Sequence, residues 1–80
     1  MQLPIIRRLV EKHSLAELKE AENQIMNDQP CAISDAGNDE GEQLTHLLAA
    51  IWIKEEMEKE NIDAGTALRR YTQRVRESIN

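Results

Sequence analysis

The chain has 80 residues, 40% of them apolar, and carries 15 acids against 10 bases for a formal charge of −5. That length admits one small domain, residues 1–80, and the apolar share excludes a disordered chain. The acidity opposes phosphate-tracking by the whole surface, and with no Phe, one Trp and one Tyr the core must be aliphatic.

The spacing predicts four helices. The first runs from Pro4, suited to an opening helical position that needs no N–H, to Lys12, with Ile5, Ile6, Leu9 and Val10 as its apolar face. The second follows Ser14. Ser14-Leu15-Ala16-Glu17 is a capping box, in which the Ser side chain and the Glu side chain each satisfy the other's backbone N–H. Leu15, Leu18, Ala21, Ile25 and Met26 then repeat at helical spacing to about Asn27. Residues 29–38, with Pro30 and Gly37, read as a loop, and Ile33 is the one large apolar residue there, a plug beneath it. No strand alternation occurs.

The third helix starts near Asn38 or Asp39 and runs to Glu60. Asp39, Glu40 and Glu42 sit where the positive end of the helix dipole favours them. Asn61 suits the left-handed residue that ends a helix. The fourth begins at the N-cap candidate Asp63, and Ala64, Ala67, Leu68, Tyr71, Val75 and Ile79 form its stripe. So short a connection implies an antiparallel hairpin of helices three and four.

The third helix is apolar all round between Leu44 and Ile53, so it must be covered on more than one side. Leu44, Leu47, Leu48, Ile51 and Trp52 form the main arc. With Leu68, Tyr71 and Val75 they are the expected core, and Trp52 is expected to be largely buried. Ala49, Ala50, Ile53 and Met57 form a second arc, the expected surface of a homo-oligomer, a dimer being favoured.

The charge is segregated. Every arginine lies near one end of the chain: Arg7 and Arg8 at the start, Arg69, Arg70, Arg74 and Arg76 at the finish. Residues 9–63 hold 14 acids and four lysines. Opposite blocks in so small a protein suggest internal or intersubunit complementarity. A hairpin turning at Asn61–Asp63 pairs Glu55 with Arg69, the expected ion pair at the seam.

No motif carries chemistry of its own. Glu42 and His46, four apart on one helix face, could supply two metal ligands, but further ligands are missing, and a surface pair or a hydrogen-bonded interface histidine is the plainer reading. His13 sits at a helix junction with no nucleophile arranged beside it. Cys31 cannot form an intrachain disulfide, has acids rather than bases for neighbours in sequence, and reads as an inert thiol. Arg69 and Arg76 fall on one side of the helix-four stripe and Arg70 and Arg74 on the other, as in residues that reach a packed partner helix rather than a duplex. Glu55, Glu56, Glu58 and Glu60 alternate with Lys54 and Lys59 as a solvated face. Glycine-rich phosphate loops, nucleophile elbows and paired-Cys motifs are absent.

Three stretches resemble a family of short bacterial helical proteins of unknown function: Leu3-Pro4-Ile5-Ile6-Arg7, Gly41-Glu42-Gln43-Leu44-Thr45-His46, and Ala67-Leu68-Arg69-Arg70-Tyr71-Thr72-Gln73-Arg74-Val75-Arg76. The resemblance implies a single all-helical domain and brings no catalytic residues. It extends to short proteins that accompany thiol peroxidases, a hint of redox physiology for which this chain offers only Cys31.

The expectation is therefore an all-α fold, a small four-helix bundle around a long central third helix. The expected role is that of a non-enzymatic, homo-oligomeric protein-interaction module without a cofactor. The alternatives are nucleic-acid binding through the arginines of the last helix, or a metal or redox accessory role through Glu42, His46 or Cys31. With no evident signal peptide, no membrane span and a free thiol, the cytoplasm is the expected location.

Overall fold

The computed structural model describes residues 2–79. Four helices follow in chain order: α1 (Leu3–Lys12), α2 (Leu15–Met26), α3 (Glu40–Glu60) and α4 (Ala64–Ile79), with a short 3-10 turn at Ser34–Ala36 inside the loop that precedes α3. The last apolar position of the α4 stripe, the side chain of Ile79, lies outside the described side chains.

Local chemistry sets the boundaries. Ser14 and Glu17 close the capping box reciprocally, at 3.1 Å and 2.9 Å. Asp39 accepts the N–H of Glu42 at 2.8 Å, and Asp63 accepts that of Thr66 at 2.8 Å. Each satisfies a donor that the helix start would otherwise leave unpaired. Asn61 ends α3 in the left-handed conformation, φ 54° and ψ 48°. The loop presses Gly37 so close to the first turn of α3 that a Cβ there would stand 3.0 Å from Glu42 Cβ and Gln43 N.

α3 is the axis of the bundle, packed against α1, α2, α4 and the 3-10 turn. Two hydrogen bonds set the direction of α1. The backbone N–H of Gln2 reaches His46, and the carbonyl of Val10 accepts from Lys54. Both ties span 44 residues, so α1 runs parallel to α3. α2 returns antiparallel, with Lys19 against Glu55. α4 is antiparallel as well, with Tyr71 on Trp52 and Arg70 between Glu56 and Glu60.

The core joins Ile6, Leu9 and Val10 of α1 to Leu18, Ala21 and Ile25 of α2, to Ile33 and Ala36 of the loop, and to Ala67 of α4. Ile33 is indeed a plug, 7% exposed. On α3 the structure corrects the assignment of the two arcs. Ala49, Ala50 and Ile53 are buried inside the chain, and Met57 is half-buried against the same core. α1 and its neighbours cover the side expected to face another copy, because His46 and Lys54 anchor α1 along it. The main arc is the less covered one. Leu47 and Ile51 are buried, Leu44, Trp52, Leu68, Tyr71 and Val75 are half-buried, and Leu48 is 48% exposed.

Ile53 is fully buried, so its substitution acts on the fold itself. Ile53→Glu strands a charge in the core and should abolish the cooperative helical transition seen by circular dichroism. Ile53→Ala should cost about 2–5 kcal/mol in urea unfolding.

The caps also predict an acid response. Hydrogen bonds from the Ser14 backbone and side chain hold the Glu17 carboxyl below its ordinary 4.5, and those from Thr66 hold Asp63 below its ordinary 3.8. A carboxyl depressed in the folded state stabilises above its unfolded pKa and loses that contribution as pH falls through its folded value. Glu17→Gln with Asp63→Asn keeps the acceptors without the titration. That variant should lose less stability than wild type between about pH 5 and about pH 3, read from urea midpoints.

Candidate functional site

The polar groups singled out by sequence meet different fates. His46 is wholly buried at the junction of α3, the start of α1 and the 3-10 turn. Its Nε2 accepts the Gln2 N–H at 3.0 Å, and its Nδ1 lies 2.6 Å from the carbonyl of Ala36. One proton placement satisfies both: a neutral ring with Nδ1–H donating to Ala36 and Nε2 unprotonated. Both nitrogens are spent on backbone groups, so His46 and Glu42 do not form a ligand pair in this fold. Among the described residues no group of three or more His, Cys, Asp or Glu is placed to hold a metal ion.

His13 lies between Glu17, 3.8 Å from Nδ1, and Asp35, 4.0 Å from Nε2. It ties the α1–α2 junction to the loop. Cys31 is half-buried, and its thiol donates to the Ile33 carbonyl at 3.5 Å.

The ion pair expected between Glu55 and Arg69 gives way to a different set. Glu55 meets Lys19 of α2 at 3.4 Å, because its side of α3 faces α2 rather than α4. Arg70 takes the α4 side of the seam, 3.6 Å from Glu56 and 3.5 Å from Glu60. Arg74 sits over the Trp52 ring at 5.7 Å from its centroid, and Trp52 and Tyr71 pack at 5.6 Å with their planes tilted by 51°. The four arginines of α4 therefore point two ways, Arg70 and Arg74 to α3, Arg69 and Arg76 to a groove shared with Leu3 of α1. They form no single track for a phosphate backbone.

Two of the exposed surfaces among the described residues set apolar side chains beside polar ones. One is the face of α3 bearing Leu44, Leu48 and Trp52 at four-residue intervals, with Leu48 the most exposed of them. The sequence holds these residues, but its symmetry of apolar positions gave no means to tell which arc α1 would cover. The other is the groove between α1 and α4. Sequence reasoning missed it, since its walls come from opposite ends of the chain.

The model of a family of unknown function, DUF6952, matches residues 1–80. The chain belongs to that family. No curated protein and no solved structure gives a significant match. Among the described residues of this family member, no helix is long and apolar enough to cross a membrane.

The proton on His46 is directly observable. Long-range nitrogen–proton NMR correlation at neutral pH should show a protonated Nδ1 and a bare Nε2. His46→Leu strands the Gln2 N–H and the Ala36 carbonyl, and should cost roughly 1–3 kcal/mol for each group so left, measured by urea unfolding.

Proposed function

We propose that this chain is a non-enzymatic helical module that works by protein–protein contact, and that its first partner is a second copy of itself. The observation that carries the reading is the exposure of Leu48 in the middle of the longest helix, with the half-buried Leu44 and Trp52 one turn to either side. An isolated exposed Leu is ordinary. A leucine–leucine–tryptophan row on one helix is the ridge that packs into the groove of another helix.

The row is centred on Leu48, so an antiparallel α3–α3 crossing sets Leu44 of one copy against Trp52 of the other. Ridges of this spacing cross at about −50°, which swings the acidic ends of the two helices apart. At the Trp52 end Glu55 and Glu56 already have Lys19 and Arg70 as partners. The polar groups that could have served catalysis are engaged in holding elements together, His46 on backbone and His13 between two carboxylates. The half-exposed free thiol of Cys31 suits a reducing compartment, and the proposed site of action is the cytoplasm.

Sedimentation equilibrium from low to high micromolar concentration tests the reading. Wild type should dimerise, with the emission of Trp52 shifting to the blue as it does so. Leu48→Glu should be monomeric while keeping its helix content and the thermal midpoint that wild type shows at low micromolar concentration, since the position is exposed and only the dimer's mass-action gain is lost. A wild-type monomer throughout that range overturns self-association.

A further inference from the structure

Met26, the last residue of α2, is the most exposed large apolar side chain among the described residues, at 68% against 48% for Leu48. The register of α2 on α3 sets it level with the Leu48 row. Lys19 meets Glu55 across the antiparallel seam at 3.4 Å. Met26 lies seven residues beyond Lys19, and Leu48 lies seven residues before Glu55. Seven residues are two helical turns less about 20°, a rise of about 10 Å. Both residues therefore stay on the edge that carries the ion pair and stand at one level along it. The outer edge of the α2–α3 seam passes from a charged pair, Lys19 and Glu55, to an apolar pair, Met26 and Leu48.

We propose that Met26 is an oxidative modification site that governs self-association, an inference that rests on the α3–α3 contact proposed above. The twofold axis of an antiparallel crossing centred on Leu48 lies in the interface and runs across α3 at the level of Leu48. Met26 stands at that level, so the axis brings the Met26 of one copy towards that of the other and extends the contact from α3 onto α2. A thioether suits such a place, being apolar and flexible enough to fill an irregular gap. Hydrogen peroxide changes its character. The sulfur attacks one peroxide oxygen, the O–O bond breaks, the sulfur is oxidised by two electrons to the sulfoxide, and the other oxygen leaves as water. No bond of the side chain is cut. The product is a polar acceptor, and the two facing side chains hold no donor for it, so its burial is opposed. Oxidation and association thus exclude each other. The monomer presents the sulfur, the dimer covers it, and the oxidised monomer no longer closes the contact. A methionine sulfoxide reductase restores the thioether, removing the oxygen as water while two thiols become a disulfide.

The test is sedimentation equilibrium of the full chain before and after hydrogen peroxide, with mass spectrometry to show when Met26 is the sulfoxide. Oxidation should raise the dimer Kd about a hundredfold, about tenfold for each copy, leave helix content unchanged, and be reversed by methionine sulfoxide reductase. Met26→Leu keeps Cys31, Trp52 and Met57 and should dimerise equally before and after peroxide. Met26 should also oxidise more slowly at concentrations above the dimer Kd than below it, whereas Met57, half-buried against the core, should show no such dependence. A Met26→Leu dimer that peroxide dissociates as readily as wild type overturns the proposal. So does unchanged association with Met26 fully oxidised, or loss of helix content in place of dissociation. Each of these results leaves the dimer standing, whereas a wild type that is monomeric before oxidation overturns the self-association reading and this proposal together.

Discussion

The anchoring of α1 along α3 is the constraint on which the arrangement depends. His46 and Lys54 lie eight residues apart on one side of α3 and hold the two ends of α1, a backbone N–H at its start and a carbonyl near its finish. The chemistry matches the ends of a helix. An imidazole lone pair meets the positive terminus and an ammonium meets the negative one. Because each tie uses an atom of the α1 backbone, the pair fixes both position and polarity, which apolar contacts alone would leave free to slide. The same imidazole reaches the 3-10 turn through its other nitrogen, so the long loop is fixed by the residue that fixes α1.

The core follows from that placement. With α1 lying over Ala49, Ala50 and Ile53, small residues let the two helices approach closely and one isoleucine fills the space between them. α2 and α4 take flanking positions, each held at its outer edge by an ion pair, Lys19 with Glu55 and Arg70 with Glu56 and Glu60. These pairs are substantially exposed and worth little in stability. They favour one register of each helix on α3, where apolar contact alone would tolerate several. What three helices cannot reach on a fourth is the strip around Leu48, and it is left to solvent or to a partner.

The fold also gathers charge that the sequence keeps far apart. α1 and α4 come from opposite ends of the chain and are both rich in arginine, whereas α2, the loop and α3 carry most of the acids. Packing α1 beside α4 brings the two arginine-bearing ends of the chain together. Part of that basic charge is spent within the hairpin, on Glu56, Glu60 and the face of Trp52. Arg69 and Arg76 line the α1–α4 groove, and Arg69 lies within electrostatic reach of Asp63.

Local information in the sequence was enough for the helices and their ends. Ser14 with Glu17, Asp39, Asn61 and Asp63 act through atoms within a few residues, so their roles can be read from spacing alone. The all-round apolarity of residues 44–53 likewise required a central helix, because no other position removes every side from water. Which neighbour covers which side is decided by contacts 44 residues distant, and no local period encodes them. That is why Ala49, Ala50 and Ile53 prove to be core and Leu48 surface, why Glu55 turns to Lys19 instead of Arg69, and why His46 is a structural bridge. Only the tertiary structure could bring Leu3 beside Leu68 and Arg76, since a groove between the ends of a chain exists only once the middle has folded between them.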